Sequence, residues 1–344
     1  MADFLRTFIL ISRFAVKWMS FVMMCLSWAV GISNTAQRKE NYLPDYNVYH
    51  NLSKIYSEIS EIAERNPFYM QLDNTYVSRH GRSQLLLHIS NFSDSHEPNE
   101  NGQPQWTPSK VRILFSFGEH AREFFPIESL FHLLRNLTRG IHAVRDSPEE
   151  LFSRKLLSKV DLFIIVMLNP DGREYIEKTH NYCWRGTSTG VDVNRNFNWN
   201  YGGEGSASET GSEELRGPQP FSEPECFVLL DITKKYSFDA FVSFHSGIRE
   251  IYVPFADSES RRLKRKPTNI ELMMKLAKKM AEITEPHFVY GQAFVVNQYT
   301  ADGTIFDYMA GIKKGIPTDQ SSKLEISGSS SPSHLGASSA DVIR

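Results

Sequence analysis

The sequence predicts an α/β fold: a mixed, partly parallel central sheet with helices on both faces. Two observations carry that reading. Leu162–Leu168 (LFIIVML) is an unbroken apolar run, as expected of a strand covered on both sides. Strand-like runs of this kind alternate with segments whose apolar residues recur at three and four, the pattern of a sheet wrapped by helices. At 344 residues, 41% hydrophobic and 23% charged, the chain can bury a sizeable core in one large or two ordinary domains. A formal net charge of −2 excludes a bulk electrostatic attraction to nucleic acid. Three cysteines are too few for a disulfide framework or a cysteine zinc site.

Residues 1–36 read as a targeting segment. Arg6, Arg13 and Lys17 precede an uncharged stretch from Trp18 to Ile32, followed by polar Ser33–Ala36. That stretch is shorter than the roughly 20 residues of a membrane span and suits a signal peptide, with a signal anchor as the alternative. A membrane is a partner only if the segment is retained. Sequons at Asn51, Asn91 and Asn136 are compatible with secretion. Cys25 leaves with a cleaved signal, so Cys183 and Cys226 are then available to pair.

The folded domain is expected over 41–315. Residues 45–65 are spaced as an amphipathic helix, ended by Asn66-Pro67. Tyr69–Leu72, Thr75–Ser78 and Leu85–Ile89 read as strands. The Asn-, Ser-, Pro- and Gly-rich stretch 91–109 reads as a loop. Val111–Phe117 is a buried strand, followed by a helix over Ile127–Leu137. The apolar run Leu162–Leu168 ends at Asn169-Pro-Asp-Gly172, expected to be a turn. From Asn181 to Tyr201 the chain is rich in Asn, Gly, Trp and Arg without periodicity, and long irregular segments within a compact domain usually carry function. Glu223–Tyr236 is a helix, Ala240–Phe244 a buried strand, and 268–284 a strongly periodic helix. The basic run Arg261–Lys266 reads as a solvated loop.

Phe115–Glu123 (FSFGEHARE) organises the chain. His120 and Glu123 stand three apart where a strand ends in a glycine turn, and such a pair can face one metal ion. Taken alone, His-x-x-Glu reads equally as a surface turn. His245 ends another buried strand, and ligands in such sheets sit beyond the carboxyl ends of strands. Two histidines and a glutamate form a three-ligand zinc set with a fourth place open.

The runs GEHARE, LNPDGREY, WRG, GVDVNRNF and SFHSG resemble, in order and at compatible spacing, the zinc metallocarboxypeptidases of the carboxypeptidase A/B type. The resemblance spans about residues 45–312. It implies one Zn²⁺ per chain held by His120, Glu123 and His245, and peptide or protein C-termini as partners. It further implies Arg185 as the arginine polarising the scissile carbonyl, Arg122 as a subsite residue, and Asn194 and Arg195 as the clamp on the terminal carboxylate. Tyr299 would cover the bound peptide, and Phe306 falls near the position that decides the side-chain pocket. With Ile305 and Phe306 apolar and no acid at the neighbouring pocket position, an apolar terminal residue is expected, since a buried Lys or Arg would need a paired carboxylate.

Family members carry a catalytic glutamate on a strand soon after the mobile tyrosine. Here Lys314 is followed by Gly-, Pro- and Ser-rich sequence, so the last strand and helix of the domain are expected to be missing. The chain then reads as a C-terminally truncated member with a disordered tail over 316–344. Ser321 falls roughly where the base belongs, and Glu325 is the one weak candidate. The resemblance thus implies either a carboxypeptidase of doubtful activity or an inactive zinc- and peptide-binding relative. A related zinc amide hydrolase is a third reading, disfavoured by the Asn194–Arg195 clamp.

Overall fold

The computed structural model describes residues 44–92, 110–284 and 286–311, together with the backbone of 322–327. The N-terminal segment, the loop 93–109, the rest of the tail and the expected missing helix all lie outside the described residues. Among the described residues no helix is long and apolar enough to cross a membrane.

Among the described residues eight strands form one sheet: β1 (Met70–Asp73), β2 (Leu86–Ile89), β3 (Val111–Ser116), β4 (Val160–Ile165), β5 (Ala240–His245), β6 (Glu250–Val253), β7 (Val289–Gln292) and β8 (Ser322–Ser327). Their order is β1-β2-β4-β3-β5-β8-β6-β7. The centre, β4-β3-β5-β8, is parallel, while β1-β2-β4 and the β8-β6 junction are antiparallel.

Side chains alternate strictly across the central strands. Ile113 and Phe115 of β3, Leu162 and Ile164 of β4, and Ala240 and Val242 of β5 enter one core with residues of helices Leu52–Arg65, Phe125–Ile141 and Ile270–Ala281. Leu114, Phe163, Ile165 and Phe241 enter a second core with residues of helices Phe227–Lys235 and Ile305–Gly311. Both faces are therefore covered, and the polar chemistry gathers at the sheet's rim.

Several expectations are corrected. A last strand was expected to be missing, yet Ser322–Ser327 runs between β5 and β6 and pairs with both. SKLEIS has little intrinsic strand signal. The open ladder edges of two neighbours decide its conformation instead, as tertiary context overrides β-propensity. The tail from 316 is accordingly not structureless throughout. Thr75–Ser78 is not a strand and contributes only a bridge from Val77 to Ser83. Asn169-Pro-Asp-Gly172 is no simple turn: Asn169 caps helix Pro170–Thr179 by accepting from Gly172 N, and Pro170 fits the first helical position. The basic run 261–266 begins inside a short helix, Ser258–Leu263, capped by Asp257. Cys183 and Cys226 are unbridged, one exposed and the other buried, with the Cys226 thiol against Asn196.

Candidate zinc centre

Three carboxyl-end loops of the parallel sheet build the site. β3 ends at Ser116, and the chain turns sharply through Gly118 at φ +66, a conformation that glycine adopts without a Cβ penalty. A Cβ at Gly118 would also strike the Met167 side chain. Asn169, at the carboxyl end of β4, steadies the same turn by donating Nδ2 to the carbonyls of Glu119 (3.3 Å) and Gly186 (2.9 Å). Ala121 N donates to Arg185 O at 2.9 Å, tying the turn to the irregular 181–201 segment.

His120 and Glu123 meet His245, the last residue of β5. His120 Nδ1 lies 2.7 Å from Glu123 Oε1, and His245 Nδ1 lies 3.1 Å from both His120 Nδ1 and Glu123 Oε2. All three side chains are buried. Two bare imidazole nitrogens facing each other across 3.1 Å have no hydrogen to share, unless one ring carries a proton there. A tetrahedral zinc with Zn–N bonds of about 2.0–2.1 Å holds its nitrogens roughly 3.3 Å apart, so the donor set fits that ion. Burial would raise the Glu123 pKa, but His120 and His245 outweigh it and hold the carboxyl well below its usual range.

Asp192 is the hub behind the ligands. Its Oδ1 accepts from Asn194 N (2.8 Å) and lies 3.1 Å from His120 Nε2. Its Oδ2 lies 3.0 Å from both Nε and Nη2 of Arg185. Burial opposes its ionisation, but Arg185 and His120 prevail and hold its pKa far down. Arg185 in turn has Nη1 3.6 Å from Glu123 Oε1. Its burial is outweighed by Asp192 and Glu123, and then by Tyr299, so its cation is strengthened. Asp192 does not stand out in the sequence, although it sits inside GVDVNRNF; a carboxylate behind a metal-facing histidine is the expected outer partner.

Among the remaining expected residues, Arg195 reaches this centre, its Nη1 lying 3.8 Å from Asp192 Oδ2. Arg195 is buried, donating Nε to Gly205 O (3.0 Å) and Nη1 to Asn194 O (2.9 Å), which fixes its guanidinium plane. Asn194 Oδ1 accepts from Ile305 N at 2.9 Å, so Asn194 is braced by the helix carrying Phe306. Phe306 is itself buried in the second core. Tyr299 is 43% exposed, on the loop before that helix. Arg122 makes a two-bond pair with Glu213 (2.6 and 2.8 Å), a partner not foreseen from the sequence. Glu325 occupies the β8 register position opposite Ser243, two residues before His245. In the sequence it is only a weak candidate, because no aromatic strand pattern surrounds it.

A buried two-histidine, one-glutamate centre at the carboxyl rim of a mixed α/β sheet is suited to hold a zinc ion. A family model described as zinc carboxypeptidase matches residues 55–330, and the chain belongs to that family. It is 26% identical over 293 residues to carboxypeptidase A2 of Rattus norvegicus, covering 80% of this chain and 63% of that protein. It is 28% identical over 308 residues to carboxypeptidase A5 of Homo sapiens, covering 83% and 62%. The chain thus spans under two thirds of the length of these relatives. Among solved structures it resembles the carboxypeptidase A of Helicoverpa armigera, with a TM-score of 0.64, 22% identity and coverage of 92% and 72%. It also resembles bovine thrombin-activatable fibrinolysis inhibitor bound to a tick carboxypeptidase inhibitor, with a TM-score of 0.65, 22% identity and coverage of 82% and 86%. These two likenesses bear on the fold.

Proposed function

We propose that the chain is a zinc-dependent carboxypeptidase that removes C-terminal residues from peptides, with an apolar preference, and that Glu325 is its general base. The observation that carries the reading is the row Ser116–Ser243–Glu325 across β3, β5 and β8. It brings a carboxylate-bearing residue of the tail into register beside the strand that ends in His245, in place of the structureless tail that made activity doubtful.

His120, Glu123 and His245 would hold the ion, which when bound supplies a Lewis acid and a water acidified to a pKa of about 7. Arg185, anchored by Asp192, would meet the charge developing on the scissile carbonyl oxygen. Arg195, its plane fixed and braced by Asn194, suits two-bond recognition of a terminal carboxylate, the feature an exopeptidase needs. Tyr299, exposed on the loop before the helix carrying Phe306, would cover bound peptide, and Arg122 would line the approach with its charge shared with Glu213. Glu325 would take the proton from the attacking water and pass it to the leaving amine. Export through the secretory pathway, with residues 1–36 as signal or anchor, completes the proposal.

The test is hydrolysis of blocked dipeptides by the purified zinc-loaded chain, with Glu325→Gln beside it. Turnover that falls about 10²–10⁴-fold in the variant at equal zinc content supports the assignment. Bound zinc without turnover in the parent would select the alternative, an inactive zinc- and peptide-binding relative. Cleavage of Lys- or Arg-ended peptides alone would overturn the apolar preference.

A further inference from the structure

We propose that Glu119 is a positioning residue for His245, locking its ring with Nε2 protonated and Nδ1 bare toward the metal. The inference rests on the zinc reading of the site and goes beyond it by giving the second metal-facing histidine a carboxylate partner of its own.

Glu119 precedes His120 in the Gly118 turn and is 1% exposed. Its side chain enters the sheet rim between β3 and β5. Ser116 and Ser243 are register partners on those strands, and both hydroxyls converge on Glu119 Oε1, at 2.7 and 2.5 Å. The other oxygen, Oε2, lies 3.2 Å from His245 Nε2 and has no hydrogen-bond partner among the described residues.

Proton counting then settles the histidine. An ionised carboxylate only accepts, and a serine hydroxyl carries one hydrogen. With that hydrogen given to Glu119 Oε1, Ser243 Oγ can only accept from His245 Nε2, 2.9 Å away. Ser243 Oγ and Glu119 Oε2, the two oxygens placed here beside Nε2, are thus acceptors, so Nε2 is the protonated nitrogen. Nδ1 keeps its lone pair, and Nδ1 is the atom that faces His120 Nδ1 and Glu123 Oε2. Asp192 stands in the same relation to His120 Nε2. Each imidazole therefore has a carboxylate behind it, the outer arrangement that fixes tautomer and ring orientation. A role confined to satisfying two serines would leave metal affinity untouched.

Glu119→Gln separates the two roles. The amide oxygen can still accept from both serines, but its NH₂ would face Nε2 and favour the tautomer with a hydrogen on Nδ1. Zinc affinity is read by chelator competition on the purified chain, and thermal unfolding of the metal-free protein is read alongside. Ser116→Ala, which spares the His245 contact, is the control. The expected result is a roughly 10–100-fold weaker zinc affinity in Glu119→Gln, with the control near the parent. Equal affinity in a folded Glu119→Gln protein overturns the inference while leaving the zinc site standing. If the parent itself binds no zinc, the reading of the metal site fails first and takes this inference with it. Should Glu119→Gln fail to fold, ¹⁵N-histidine spectra of the zinc-loaded parent decide. Metal on Nδ1 with a proton on Nε2 of His245 upholds the inference, and the reverse overturns it.

Discussion

Replacing Asp192 by Asn removes one charge and almost no volume, at a fully buried position. One oxygen can be kept for Asn194 N and the His120 ring, and the new NH₂ must then face Arg185, donor against donor. The hydrogen bond that Oδ2 accepts from Nε of Arg185 and the 3.0 Å ion-pair contact with Nη2 are lost; a charge-assisted hydrogen bond is worth about 1.5–3 kcal/mol. Arg185 would be left partly buried, with Glu123 Oε1 at 3.6 Å. Breaking a buried pair by removing one partner costs about 3–5 kcal/mol. At roughly 2–4 °C per kcal/mol for a domain near this size, Tm should fall by on the order of 10 °C. Losing the carboxylate charge behind His120 should also weaken zinc binding about 10–100-fold. Differential scanning fluorimetry with and without chelator reads both effects. A Tm within about 1 °C of the parent, at equal zinc affinity, would refute the hub role of Asp192.

Two further predictions follow from the scaffold. His132 is half-buried, and burial together with Arg135 and Arg139 lowers its pKa from 6.5 to about 4. Between those values the unfolded chain binds a proton that the folded chain refuses, so stability is lost as pH falls from about 6.5 toward 4. Full linkage would be about 3 kcal/mol, and partial exposure cuts this to roughly 1–2 kcal/mol. His132→Gln should therefore narrow the Tm difference between pH 7 and pH 5, and an unchanged difference would contradict the cause given. Gly118→Ala should destabilise by about 2–4 kcal/mol, combining left-handed strain with overlap on Met167. Denaturant midpoints check this, and a midpoint equal to the parent's would show that the turn relaxes freely.

The parts of the fold legible in the sequence are those whose signal is local and redundant. β4 and β5 announce themselves as apolar runs, and helix Leu52–Arg65 by its spacing, because both are buried by their own residues. His120, Glu123 and His245 are legible because each sits at or just past the end of such a run. β8 is not, since Ser322–Ser327 becomes a strand only through neighbours far away in the chain. Helix Pro148–Leu157 has a readable start, a Ser147 cap followed by Pro148, Glu149 and Glu150, but its short apolar stripe gives little periodicity to confirm it. Asn169-Pro-Asp-Gly reads as a turn because turn formers and helix caps draw on the same residues. Asp192 and Glu119 lie against histidines 72 and 126 positions away, the first by a hydrogen bond and the second at ion-pair distance, which residue spacing alone does not reveal.

The most direct measurement is metal content per chain, by elemental analysis of the purified protein and of His245→Ala. The account predicts about one zinc per parent chain, and a folded variant that retains little after brief dialysis against a weak chelator. A folded parent that cannot be loaded with zinc, or a variant that holds it as tightly as the parent, would contradict the account at its centre.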